Sequence, residues 1–371
     1  MSSSTEVIVI GAGIVGCAVA YELARRGASV EVVDDRPIGM GATQASAGVL
    51  APYLEAREGT PLLALAARSL GLYEEFVGRV TSESGSPVQY ARTGTLDVAF
   101  DERDLCDLRH NADVLGRIGV RAALLDAADA RSEEPHVAEG ATGALLVDAH
   151  AFVAAFDLTR ALAAAARRHG AKLLDPNRVR RIRRQGADVA VDTARGTLTG
   201  NAVILAAGSW SGGIAVDGAV PVPVRPVRGQ LLSLAWRGAR LRRVTWSSRC
   251  YLVPWDDGTV LVGATMEEAG FDERATAAGV RDLLEAACDV VPHAWTAGFG
   301  GARVGLRPGT PDALPVIGRS SVIPNLTYAT GHFRNGVLLA PLTAQLVADL
   351  VLDNRSDAML AAVSPSRFGP V

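Results

Sequence analysis

The chain has 371 residues, of which 49% are hydrophobic and 21% charged, and it carries a formal net charge of -3 at pH 7. This balance supplies a sizeable folded core and excludes a disordered chain. It excludes the broad basic surface that nucleic acid or an anionic membrane would need.

Val7-Ile8-Val9-Ile10 is a short apolar run that ends in glycine, the pattern of a buried parallel strand. Ile14 to Arg26 reads as a helix closed by Gly27, and Ser29 to Val33 as a second strand ending at Asp34 and Asp35. Gly39 to Pro52 reads as a loop, and apolar residues from Leu62 to Val80 recur at helical spacing. A half-buried strand is expected at Leu96 to Phe100, followed by helices at Glu102 to Arg117 and Ala127 to Glu134. Phe152 to His169 predicts an alanine-rich helix, Ala171 to Leu174 a strand, and Ala202 to Ala206 a second apolar strand running into glycine. Arg178 to Arg184 alternates with Val179 and Ile182, as a half-exposed strand does. Between Val220 and Thr265 short alternating segments predict an antiparallel sheet. A helix at Glu273 to Val291 follows, then a glycine-rich loop and a last helix at Gly336 to Leu352.

Cys17, Cys106, Cys250 and Cys288 form no Cys-x-x-Cys pair, which argues against a disulfide framework or a zinc site and for reduced thiols in the cytoplasm. Val7 to Tyr21 invites comparison with a signal peptide. Yet Ser2 to Glu6 contains no Lys or Arg, and glycines interrupt a run too short to span a bilayer.

The first chemical signal is Gly11-x-Gly13-x-x-Gly16, between the first strand and first helix. Gly11 suits the tight turn, Gly13 the approach of a pyrophosphate, and Gly16 the packing of helix on strand. Ala12, Ile14 and Val15 complete the loop and present backbone N–H groups to phosphate. Asp34, with Asp35 beside it, is placed to accept hydrogen bonds from ribose hydroxyls, and an acid there disfavours a 2′-phosphate. The fingerprint predicts a bound dinucleotide and leaves FAD and NAD both open.

Beyond it, five blocks resemble the D-amino-acid oxidase and glycine oxidase superfamily, above all its glycine oxidases associated with thiamine biosynthesis. They are Val7 to Gly16, Thr43 to Leu50 (TQASAGVL), Val203 to Ser211 (VILAAGSWS), Cys250 to Met266, and Gly305 to Pro341, which holds GLRPGT and GHFRNG. The resemblance implies an α/β plus α+β fold: a Rossmann-like FAD-binding domain and a substrate domain on an antiparallel sheet. The expected division is 1–84, 145–222 and 312–371 for the first, 85–144 and 223–311 for the second.

It also implies non-covalent FAD, because no cysteine follows Cys288. Thr43, Ser46, Ala47, Gly48 and Val49 would wrap the cofactor, and Val179 would meet the adenine. Ala207, Gly208 and Trp210 would form a second contact. His332, Arg334, Asn335, Gly336, Val337 and Leu338 would form the strand-to-helix turn against the flavin, where a helix N-terminus stabilises negative charge on the reduced ring. Arg307 would grip a substrate carboxylate with its planar fork, and Tyr251 would add a hydroxyl contact. Met266 would line the pocket. Arg249 stands where relatives carry a histidine beside the substrate, Ala42 where they carry a threonine, and Ala51-Pro52-Tyr53 departs from their capping loop.

The implied reaction is hydride transfer from the Cα of a small amino acid or amine (glycine, sarcosine, a small D-amino acid) to flavin N5. The imine then hydrolyses to a 2-oxo acid and ammonia, and O2 is reduced to H2O2. Orientation supplies most of the advantage, so no Ser-His-Asp or metal signature is expected. A dehydrogenase passing electrons to a quinone or carrier is the alternative, and a homo-oligomer is left open. Taken singly, Arg307 reads as a loop arginine, Tyr251 and Trp210 as packing, and His332 as structural.

Overall fold

A computed structural model describes residues 6–55, 59–174 and 176–371. One sheet has six strands in the spatial order Val316–Arg319, Leu326–Thr330, Ala202–Leu205, Glu6–Ile10, Ser29–Val33 and Lys172–Leu173. All neighbours run parallel except the first pair. Alternation along Glu6–Ile10 feeds two cores at once. Val7 and Val9 point into the helical layer, whereas Ile8 and Ile10 meet Val179, Ile182, Val189 and Val191 of a four-stranded sheet on the other face. Each such side chain contributes roughly 1.5–3 kcal/mol on burial, which is why the strand reads as an unbroken apolar run.

The helical layer comprises Ile14–Arg25, Pro61–Ser84, Ala155–Arg168 and Gly336–Leu352. Pro61–Ser84 begins at Thr60, whose side chain accepts from Leu63 N, with proline at the first helical position, and ends at Gly85 in the left-handed region (φ 69°). This helix braces the last one. Pro341 lies inside Gly336–Leu352 and brings no N–H, so the carbonyl four residues earlier, at Val337, loses its helical donor. The Tyr73 hydroxyl donates to that carbonyl instead, and Ser69 Oγ donates to Leu338 O at 2.6 Å. The first turn of the last helix is thereby held in place from the side.

The second large sheet has eight strands: Gly298–Gly309, Arg225–Ala235, Thr259–Gly263, Tyr251–Pro254, Val244–Trp246, Thr95–Ala99, Gly143–Val147 and Ala123–Asp126. It is antiparallel except where Val244–Trp246 runs parallel to Thr95–Ala99. Helices Glu102–Arg117 and Ala277–Val290 pack on it.

Three local readings are corrected. Phe152 and Val153 do not open the alanine-rich helix. They belong to the strand Ala151–Val153, which pairs with Val49–Leu50 and Tyr90–Ala91, and the helix starts at Ala155. The helix expected from Glu273 starts at Ala277, because Thr276 Oγ1 accepts from Gly279 N and caps it there. Gly298–Gly309, which carries Arg307, is a long strand rather than a loop. All four cysteines are free thiols. Among the described residues no helix is long and apolar enough to cross a membrane, and no cluster suits a metal ion.

Candidate active site

A cleft of about 570 Å³ runs along the C-terminal ends of the first sheet's strands, from Arg178 and Val179 past Asp34 and the glycine loop to His332–Leu338. This is where a doubly wound sheet receives its ligand. Gly11 has φ 109°, and a Cβ on it would lie 2.4 Å from Ala206 O. A Cβ on Gly16 would lie 1.9 Å from Gly11 O. A Cβ on Gly13 would meet nothing nearer than Thr43 Oγ1, at 3.6 Å, so this glycine leaves its backbone open to the cleft. Gly13 also caps the helix Ile14–Arg25 without any side-chain hydrogen bond. The end of the helix therefore faces the cleft with its positive pole, as a pyrophosphate requires.

Asp34 ties the loop to the second strand, accepting from Ala12 N at 2.6 Å and Arg36 N at 2.9 Å. Burial raises its pKa, and those two N–H donors oppose the rise. Thr43 Oγ1 accepts from Ile14 N at 3.1 Å, and Ser46 Oγ from Gly48 N at 3.2 Å. Gly48 (φ 73°) presses on the strand behind it, where a Cβ would lie 1.8 Å from Val153 O. His332 is buried with Nε2 at 3.1 Å from Thr343 Oγ1, and burial lowers its pKa to about 4, leaving the ring neutral. An open glycine, a helix start that faces the groove and the Asp34 carboxylate in one cleft fit FAD.

A second hollow of about 940 Å³ adjoins the cleft. Trp246, Tyr251, Arg307, Phe333, Arg334 and Asn335 line both. Arg307 and Tyr251 lie flat on the antiparallel sheet because glycines floor it. A Cβ on Gly229 would lie 2.4 Å from the Arg307 guanidinium, and one on Gly263 would lie 2.3 Å from Tyr251 Cζ. Arg307 Nη1 donates to Thr265 O at 2.9 Å, which fixes one edge of the fork. The Tyr251 ring stacks on Trp246 at 4.7 Å with planes 25° apart.

Ile14, Val15, Asp35, Ala47, Val49, Ala207, Gly208, Trp210, Asn335, Gly336, Val337 and Leu338 also line the cleft, whereas Ala12 and Gly16 stand behind it. Met266 and Arg249 border the second hollow only. Met266 is 65% exposed, and the Arg249 guanidinium pairs with Asp289. Sequence reasoning missed Trp246, Phe333, Arg36 and Phe271 as lining residues. For Trp246 a signal existed in the hairpin register, which sets it directly opposite Tyr251.

The comparisons with known proteins agree with this geometry. Glycine oxidase of Geobacillus kaustophilus is 32% identical over 99% of this chain and 98% of its own length. Its crystal structure superposes with a TM-score of 0.94, covering 98% of this chain and 99% of that one. A bifunctional ThiO/ThiG protein of Nostoc sp. is 34% identical over 98% of this chain, which spans 55% of that protein. The DAO family, FAD dependent oxidoreductases, matches residues 6–350, and the chain belongs to it.

Proposed function

We propose that the protein oxidises the C–N bond of a small amino acid, with glycine, sarcosine and small D-amino acids as the substrate class and dioxygen as the electron acceptor. One observation carries this reading: Arg307 and Tyr251 converge where the cofactor cleft meets the second hollow. FAD, when bound, supplies the acceptor for the hydride leaving the substrate Cα and hands the electron pair to dioxygen.

The residues of the chain bind and orient. Arg307 presents its guanidinium to the substrate carboxylate, and the Tyr251 hydroxyl adds a neutral donor. Trp246 stacks on Tyr251 and restricts its ring. Holding the carboxylate on the sheet floor aims Cα at the cleft, and positioning of this kind is worth far more than a weak base. The amine enters neutral, so the site has no proton to remove before hydride transfer. Water then adds to the imine and releases the 2-oxo acid and ammonia (or methylamine, from sarcosine). Among the described residues no cysteine lines the cleft, which supports non-covalent FAD.

The test is a panel of amino acids screened for anaerobic bleaching of the yellow protein, followed by peroxide assay in air. Bleaching by glycine or sarcosine, with peroxide formed in step with ammonia from glycine or methylamine from sarcosine, is the expected result. Dye reduction without peroxide overturns the oxidase assignment in favour of a dehydrogenase. Arg307→Ala should raise KM about 100-fold or more, because a charge-assisted bidentate contact is lost, while the protein stays yellow. Unchanged kinetics overturn the carboxylate clamp.

A further inference from the structure

The segment that follows Thr259–Gly263 does not go straight into the helix Ala277–Val290. Its first half is stitched to the antiparallel sheet: Glu267 N donates to Arg228 O and Arg228 N to Glu267 O, both at 2.9 Å. The Glu267 carboxylate accepts from Arg228 Nη2 at 2.5 Å, Gln230 Nε2 at 2.8 Å and Thr265 Oγ1 at 2.5 Å. Arg228, itself buried, also reaches Asp272 at 3.1 Å.

The second half then crosses to the nucleotide side. Glu273 forms a two-pronged pair with Arg36, at 2.9 and 2.8 Å, and Arg36 follows the Asp34–Asp35 acids that end the second strand. The Arg36 guanidinium lies 4.3 Å from the centre of the Trp210 ring, and Phe271 packs on the same ring at 5.9 Å. Trp210 in turn faces Gly41, where a Cβ would stand 3.5 Å from its ring. Arg36, Trp210 and Phe271 all line the cofactor cleft. Phe271 is nevertheless 55% exposed, a large aromatic left half in water at the mouth of the groove. Such a ring is explained if it covers a ligand.

We propose that residues 267–274 form a retaining strap across the FAD cleft, latched by the Arg36–Glu273 pair and the Arg36–Trp210–Phe271 stack, so that FAD leaves only when the latch opens. The inference rests on FAD occupying this cleft. The latch has two physically different halves. The ion pair is about one-third exposed on each side (33% and 31%), so salt screens it. The contact between the Trp210 and Phe271 rings carries no net charge, so salt does not screen it.

The experiment follows FAD fluorescence after dilution of the holoenzyme, for wild type, Glu273→Gln and Phe271→Ala, at low salt and at about 1 M salt, where the Debye length is ~3 Å. Glu273→Gln should release FAD about fivefold faster at low salt. Wild type should accelerate towards that rate as salt rises, and the variant should not. Phe271→Ala should release faster by about threefold to tenfold at both salt levels. Equal melting temperatures of the three apoproteins would assign the change to the latch rather than to the fold. Unchanged release from both variants overturns the strap, and a wild-type rate indifferent to salt overturns the ionic latch. A wild-type chain that holds no flavin overturns the cofactor assignment and the strap together.

Discussion

Gly229→Ala tests the floor beneath Arg307 without removing any charged group. The added methyl would sit 2.4 Å from Cζ, Nη1 and Nη2 of Arg307. Those atoms are the far end of a flexible side chain, so the strand stays paired and the guanidinium shifts from its seat, straining its bond to Thr265 O. Gly229 lies opposite Gly305 in the ladder and does not line the cofactor cleft, so flavin binding persists. Displacing the fork removes at least one charge-assisted contact to the substrate carboxylate, worth about 1.5–3 kcal/mol. That corresponds to a fall in kcat/KM of roughly 10- to 150-fold. The assay is steady-state oxidation of glycine or sarcosine, with the visible spectrum as the control for flavin content. A yellow Gly229→Ala protein with kcat/KM within a factor of two of wild type would refute the argument that Arg307 works from this seat.

Gly263→Ala should act on the Tyr251 side in the same way, since its methyl would lie 2.3 Å from Tyr251 Cζ. The neutral hydroxyl contact is weaker, so kcat/KM should drop only about tenfold, as substrate titration will show. Arg228→Met should lower stability by about 1 kcal/mol, because the half-buried Glu267 carboxylate loses its cation and keeps only Gln230 and Thr265; urea unfolding measures this. Stability should also decline in mild acid. Burial holds His150 at a pKa of about 3 and His332 at about 4. The unfolded chain protonates both near pH 6.5, so their contribution is complete above that pH. It is lost as pH falls from 6.5 towards 4, by up to about 1.4 kcal/mol per pH unit for each ring. Melting temperatures between pH 7.5 and 5 should show the decline, with a shallower slope in His150→Gln.

The cofactor half of the site was legible because its demands are local. Gly11 and Gly16 are required by contacts within a few ångströms of their own backbone, and the acid at Asp34 falls where the second strand must end. The substrate half was legible only through family resemblance. Gly298–Gly309 contains Gly298, Gly300, Gly301, Gly305 and Gly309, a composition that argues against a strand. Its extended form comes from pairing along the whole length of Arg225–Ala235. Arg307 thus read as a loop residue, although the sheet sets its direction. Phe152 and Val153 misled for a related reason: their apolar run continues into the alanine-rich helix, and only the partner segment Val49–Leu50 makes them a strand. Arg36, Trp210 and Phe271 come from three distant stretches, and no single window of sequence carries their meeting.

The strand order of the first sheet also bears on biosynthesis. Ala202–Leu205 needs Leu326–Thr330 on its far side, and the turn His332–Leu338 comes later still. At 5–20 residues per second, roughly 15–60 s separate emergence of the glycine loop from that of the segments that complete its groove. During the later part of that interval an entirely apolar strand, AVIL, has an unpaired edge, the kind of surface chaperones must shield. Flavin loading is therefore expected to wait for the emergence of the last of these segments, long after the glycine loop has formed.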